Sequence, residues 1–157
     1  KKKRNNEEVS PLSEFLLLYS ARVQLMNNIV IPALKKGIVF SDRTWISSYA
    51  YQQLDDSVFF NLHNTIMAGM PRIDAVIHLN VSPEIGLLRA SKRGKLDRIE
   101  GNKLDFFVRA NERYKSIIPT LTKNHLFIDT NDKSETEVAN IAYEFIKSLI
   151  LKSSTTK

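Results

Sequence analysis

The run Ile38-Val39-Phe40-Ser41-Asp42-Arg43-Thr44-Trp45-Ile46-Ser47-Ser48-Tyr49-Ala50-Tyr51-Gln52 frames the reading of the whole chain. Its first three residues are apolar and follow the helix-stop residue Gly37. A short apolar run of this kind predicts a buried parallel strand covered on both faces. Asp42 and Arg43 come directly after it. In open α/β sheets ligands bind at the carboxyl ends of the strands, so the predicted strand points both charges at a site. A carboxylate there can hold Mg²⁺ or its waters, and a guanidinium can clamp phosphate through two parallel hydrogen bonds. Taken alone, an Asp-Arg pair is more simply a local ion pair.

Working outward, Ser10-Pro11 predicts a helix start, with serine as cap and proline in the first turn. Leu12, Phe15, Leu16, Leu18 and Tyr19 recur at helical spacing, and the pattern continues through Val23, Met26 and Ile29 to Leu34, with a kink expected at Pro32. After the opening run, residues 46–52 read as a helical turn and 55–68 as a helix stopped by Gly69. Ala75 to Leu79 reads as a second strand. Pro83 opens a helix through Arg89 that breaks at Arg93-Gly94-Lys95. A long amphipathic helix is predicted over 104–121, a third strand over 125–128 and a terminal helix over 135–151. Strands alternating with helices indicate a parallel sheet with right-handed crossovers.

Composition narrows the function classes. At 157 residues, with 43% hydrophobic and 25% charged residues, the chain fits one globular domain and neither a disordered nor a fibrous protein. No apolar run reaches the roughly 18–20 residues of a membrane span. The absence of cysteine removes disulfides and thiolate metal sites and fits a reducing cytoplasm. The net charge of +6 raises the odds of a polyanionic partner, although part of it lies in Lys1 to Arg4 and in the tail Lys152 to Lys157. His63, His78 and His125 lack metal-ligand spacing and read as structural. Asp55-Asp56 read as the first turn of a helix, where carboxylates suit the dipole.

Three motifs in order carry a more specific reading. Residues 42–52 resemble the Asp-Arg…Ser…Ala-Tyr-Gln signature of thymidylate kinases. Tyr19-Ser20-Ala21-Arg22-Val23-Gln24-Leu25 resembles the helix that follows their monophosphate loop. Lys92-Arg93-Gly94-Lys95-Leu96-Asp97-Arg98-Ile99-Glu100, followed by Leu104-Asp105-Phe106-Phe107, Arg109, Arg113 and Tyr114, resembles the arginine-bearing lid and post-lid helix of the bacterial enzymes. The resemblance implies a P-loop-type α/β sandwich with a parallel sheet, formed by a single nucleoside-monophosphate kinase domain with a lid at about 89–101. It implies transfer of the ATP γ-phosphoryl group to thymidine monophosphate with Mg²⁺, in a homodimer whose interface includes the first long helix.

By the same resemblance Arg43 binds the monophosphate and Arg22 reaches the thymine edge. Ser47, Ser48 and Gln52 lie near the base, and Tyr51 crowds a ribose 2′-hydroxyl. Tyr114 lines the monophosphate site. Arg93 is the lid arginine, with Arg98 and Arg89 as further candidates, and Asp42 serves catalysis as the Mg²⁺ carboxylate. Leu18 stands where the family places the aromatic that stacks on thymine. No Gly-x-x-x-x-Gly-Lys-Ser/Thr loop occurs, and the residues that would bind ATP are therefore unassigned. The expectation is an incomplete amino-terminal portion; a chain complete as written would lack phosphoryl transfer. The rival readings are a non-catalytic homologue that keeps the monophosphate pocket, and a basic nucleic-acid-binding protein.

Overall fold

Ser10 caps the first helix, its hydroxyl oxygen accepting from the Ser13 amide at 3.2 Å, and Pro11 takes the first position, where an amide would find no partner. The computed structural model describes residues 9–93 and 104–155, in two compact units that divide between Arg72 and Ile73. In the first unit, α1 (Pro11–Leu25) passes through a π-helical turn (Met26–Val30) into α2 (Ile31–Leu34). The disturbance predicted at Pro32 thus lies just before it, where the Ile31 amide donates to the Met26 carbonyl five residues back. Proline offers no amide to the Asn28 carbonyl and its ring crowds that group, so a wider turn accommodates both.

Two short helices complete this unit. Thr44 caps α3 (Trp45–Tyr51), and Asp55 caps α4 (Asp56–Ile66) by accepting from the Ser57 and Val58 amides. Those bonds, the Ser57 hydroxyl foremost, hold the Asp55 carboxyl below its ordinary range. After α4, Gly69 turns the chain at φ 76°, a conformation that costs glycine nothing. Phe15 and Tyr19, one turn apart on α1, are buried with Ile46, Tyr49 and Ala50 of α3 and Phe59 of α4. Phe15 stacks on Tyr19 at 4.0 Å between ring centroids and meets Phe59 edge-on at 5.3 Å. Aromatic rings thus supply most of the core of the unit.

The predicted strand at Ile38-Val39-Phe40 is a correction. These residues form no strand, and Ile38 and Phe40 are 62% and 70% exposed rather than covered on both faces. A strand exists through hydrogen bonds to a neighbour, and among the described residues none lies beside this segment. Asp42-Arg43 consequently occupy a bend after an unpaired segment, not the end of a strand.

The second unit contains the other two predicted strands. Val76–Asn80 (β1) and His125–Asp129 (β2) pair in parallel, Val76 opposite His125 and Asn80 opposite Asp129. Between them lie α5 (Pro83–Arg93) and α6 (Leu104–Leu121), and α7 (Glu135–Thr155) follows. This β-α-α-β-α order, with a parallel pair, is the predicted α/β arrangement. Phe106, Ala110 and Ile118 of α6 and Ile128 of β2 are its buried apolar residues. Side chains stitch the pair at both ends. Thr122 Oγ1 donates to the Asp74 carbonyl at 2.8 Å before the strands, and Thr130 Oγ1 to the Asn80 carbonyl at 2.9 Å after them. Ser134 and Glu137 form a reciprocal capping box at the start of α7: the Ser134 amide and hydroxyl donate to Glu137 Oε2, and the Glu137 amide donates back to Ser134 Oγ.

Candidate nucleotide site and family membership

In the first unit, helix α1 delivers Arg22 to α3. The residue lies three positions after Tyr19, which puts both on one helical face. Its Nη2 donates to Ser48 Oγ at 3.0 Å, and the guanidinium carbon lies 5.6 Å from the centroid of the Tyr19 ring. Nε of Arg22 is buried and meets no hydrogen-bond acceptor among the described residues. A buried donor left open in this way is costly unless something supplied from outside accepts from it. Burial draws the Arg22 guanidinium down from its usual value, opposed by the neighbouring Tyr19 phenol. Two residues that the sequence assigns to the base, 26 positions apart, are therefore in direct contact.

Arg43 occupies the second part of the site. Its φ of 63° is the single positive value at a non-glycine residue among those described. The left-handed region costs a side chain-bearing residue roughly 1–2 kcal/mol. The bend is held by Ser41, whose hydroxyl donates to the Arg43 carbonyl at 2.8 Å, and the guanidinium lies 5.6 Å from the Tyr51 ring centroid. Backbone strain of this kind gathers at functional sites, where the surrounding structure over-determines it. Asp42 beside it is exposed, as is Leu18 on α1, while Ser48 and Gln52 are buried and Ser47 and Tyr51 half-buried.

Tyr19 does not substitute for the missing stacking aromatic at Leu18. Its ring is 1% exposed and committed to the core, stacked on Phe15 with its hydroxyl oxygen 2.8 Å from Nδ1 of His63. Burial pushes the Tyr19 phenol far above the ordinary tyrosine range, with Arg22 opposing. The same burial, helped by the Arg22 charge, draws His63 down to about 4, so its imidazole is neutral at pH 7. Trp45 lies 4.1 Å from the His63 ring. The Tyr19–His63 link escaped sequence reasoning, since its partners are 44 residues apart.

The remaining predicted residues fall in the second unit. Arg93 is the last residue of α5, and Arg98 lies outside the described residues. Tyr114, on α6, packs 4.7 Å from the His78 ring. Burial lowers His78, opposed by its side-chain hydrogen bond to Asn111. Arg89, a further lid candidate, instead donates through Nη2 to the carbonyls of Thr130 and Asn131 at 2.8 and 3.0 Å. It ties α5 to the chain that leaves β2. Among the described residues no group of three His, Cys, Asp or Glu side chains could cage a metal ion.

The thymidylate kinase family model matches residues 2–141. The chain belongs to the thymidylate kinase family. It is 46% identical over 116 residues to the thymidylate kinase of Haemophilus ducreyi, covering 71% of this chain and 54% of that protein. It is 43% identical over 122 residues to the thymidylate kinase of Vibrio parahaemolyticus, covering 74% of this chain and 58% of that protein. The chain thus spans about half the length of the curated relatives it matches. Family membership brings the P-loop NTPase fold. No helix among the described residues is long and apolar enough to cross a membrane.

Proposed function

We propose that the protein transfers the γ-phosphoryl group of ATP to thymidine monophosphate, and that the first unit supplies the acceptor pocket. The observation that carries this reading is the 3.0 Å contact of Arg22 with Ser48, with the Arg22 Nε donor left open. A guanidinium so placed can donate to a carbonyl oxygen on the base edge, while Ser48 offers a hydroxyl to the ring. Ser47, Tyr51 and Gln52 complete the base and sugar contacts, with Leu18 giving apolar cover. A site built from polar groups rejects ligands that fail to satisfy them far better than an apolar slot does.

Arg43 clamps the phosphate. Asp42, an exposed carboxylate that belongs to no cluster of three His, Cys, Asp or Glu side chains among the described residues, suits Mg²⁺, which keeps most of its waters and takes one or two carboxylates together with substrate phosphates. When bound, the cation neutralises charge on the transferring phosphates. Arg93 and Arg98 act from a lid at about 89–101, within a single kinase domain. The whole protein works in the cytoplasm as a homodimer. In support of the dimer, Leu12, Leu16, Leu17, Leu25 and Ile29 are exposed along the first long helix, where a paired copy would cover them.

Calorimetry on the whole protein tests the acceptor assignment. Thymidine monophosphate is expected to bind at least ten times more tightly than uridine or guanosine monophosphate; equal affinity for all three would sink it. Arg43→Gly gives a second check. Glycine relieves the left-handed backbone but adds freedom to the unfolded chain, for a net gain of about 0.5–1 kcal/mol. Loss of the charged clamp is expected to raise the Kd for thymidine monophosphate by roughly 30–100-fold, since truncating one partner of a charge-assisted pair costs about 2 kcal/mol or more. Urea titration and calorimetry read the two effects separately. A destabilised variant would show that the strain at residue 43 is not what holds it back.

A further inference from the structure

A chain of contacts runs behind the acceptor pocket through three helices. Nδ1 of His63 on α4 lies 2.8 Å from the Tyr19 hydroxyl on α1. The Tyr19 ring lies beneath the Arg22 guanidinium at 5.6 Å, and Arg22 donates to Ser48 on α3. Each link constrains the next. The Tyr19 ring is fixed on one side by Phe15 and edge-on by Phe59 at 6.1 Å, and at its tip by His63. His63 is itself gripped between Trp45 at 4.1 Å and Phe59 at 6.1 Å.

Arg22 has few other restraints. Ser48 holds one end of the guanidinium and the Tyr19 face supports it, while Nε remains open. A long side chain held at one point keeps much of its rotamer freedom, and a guanidinium that samples several poses presents its donors to the base edge for only part of the time. The aromatic face under it removes that freedom, because the ring quadrupole attracts the cation in one geometry. The face can do so only while the ring is itself immobile, and a buried phenol without a partner would shift to find one.

We propose that His63, acting through Tyr19, is a positioning residue that fixes Arg22 in its base-reading pose. This rests on the assignment of Arg22 to the base edge given above. His63 touches neither nucleotide nor reacting atoms, and its effect falls on acceptor affinity rather than on phosphoryl transfer. A neutral imidazole suits the task. With its proton on Nε2, Nδ1 accepts from the Tyr19 hydroxyl and no second cation is placed beside Arg22.

The test is steady-state kinetics on the whole protein with His63→Leu, Tyr19→Phe, His63→Asn and Arg22→Met. The first two are expected to raise KM for thymidine monophosphate by about 5–10-fold, with kcat within about twofold and KM for ATP unchanged, the pattern of lost binding rather than lost transition-state stabilisation. Asparagine can place its amide oxygen near the position of Nδ1, so His63→Asn is expected to recover most of the loss. Tyr19→Phe keeps the ring and the core volume. Fluorescence of Trp45, the single tryptophan of the chain, reports whether the cluster around His63 stays packed in each variant.

Arg22→Met separates the two assignments. If it leaves the KM for thymidine monophosphate unchanged, the base-edge role of Arg22 falls. If it raises that KM while Tyr19→Phe and His63→Leu do not, Arg22 reads the base unaided and the positioning role of His63 is overturned. A fall in kcat equal to the rise in KM in the packed Tyr19→Phe variant would also overturn it. Failure of asparagine to recover activity where Tyr19→Phe behaves as wild type would do the same.

Discussion

Replacing Arg93 by alanine is expected to lower kcat of the whole protein by about 10³-fold while changing the Kd for thymidine monophosphate less than threefold. Phosphoryl transfer offers a protein little covalent chemistry to perform, and catalysis is mostly positioning and stabilisation of charge on the transferring group. An arginine that meets that charge only in the transition state is worth roughly 10³-fold or more. Such a contact raises kcat without tightening ground-state binding. Arg93 ends α5, and one turn earlier Arg89 anchors that helix by donating to the Thr130 and Asn131 carbonyls. The Ser82 amide, just before α5, donates to the Asn131 side chain at 2.9 Å, so the helix is tied at its start as well. Rapid-quench measurement of a single turnover, with calorimetry of the acceptor alone, separates the two parameters. An unchanged kcat would remove Arg93 from the mechanism and transfer the role to Arg98. A variant that loses acceptor affinity and kcat in equal measure would make residue 93 part of ground-state binding.

How much of this was legible beforehand depended on how local each signal was. Helix α6 was readable at both ends, because an amphipathic period of 3.6 residues is written into consecutive positions from Leu104 to Leu121. The cap at Ser10 and the stop at Gly69 were equally local. Ile38-Val39-Phe40 misled for the opposite reason. Its apolar character states what the segment would do beside another strand, and pairing is a property of the neighbour as much as of the residues themselves. At the site, Tyr19 and Arg22 could have been paired from their spacing of three on one helix. Their link to His63 could not, since it depends on how α4 packs against α1. Arg89 was read as a lid arginine from its company with Arg93 and Arg98. Only the positions of the Thr130 and Asn131 carbonyls reveal that it is spent on holding α5 in place.

The largest loss of stability is expected at Phe59, where alanine should cost about 3–5 kcal/mol, the range for emptying a buried phenylalanine site. Phe59 is 1% exposed and its ring is surrounded by others: Phe15 and Tyr49 at 5.3 Å, Phe60 at 5.4 Å, Tyr19 and His63 at 6.1 Å. Aromatic pairs in these geometries add about 0.5–1.5 kcal/mol beyond the area they bury, so the site gives up packing and ring contacts together. Collapse cannot easily refill the space. Phe15 and Tyr19 are held by their helix and by each other at 4.0 Å, and Tyr49 is tied through its hydroxyl to Asp56 at 3.1 Å. Against a typical total of about 5–15 kcal/mol, a loss of this size brings a domain close to unfolding. Urea titration should show a lower midpoint with an unchanged slope, and Phe59→Leu should recover more than half of the difference. A loss under 1 kcal/mol would mean that the cluster relaxes freely. A relaxed cluster would in turn leave Tyr19 no fixed floor on which to hold Arg22, so the stability of Phe59→Ala and the acceptor affinity of Tyr19→Phe examine the same rigid aromatic core from its two sides.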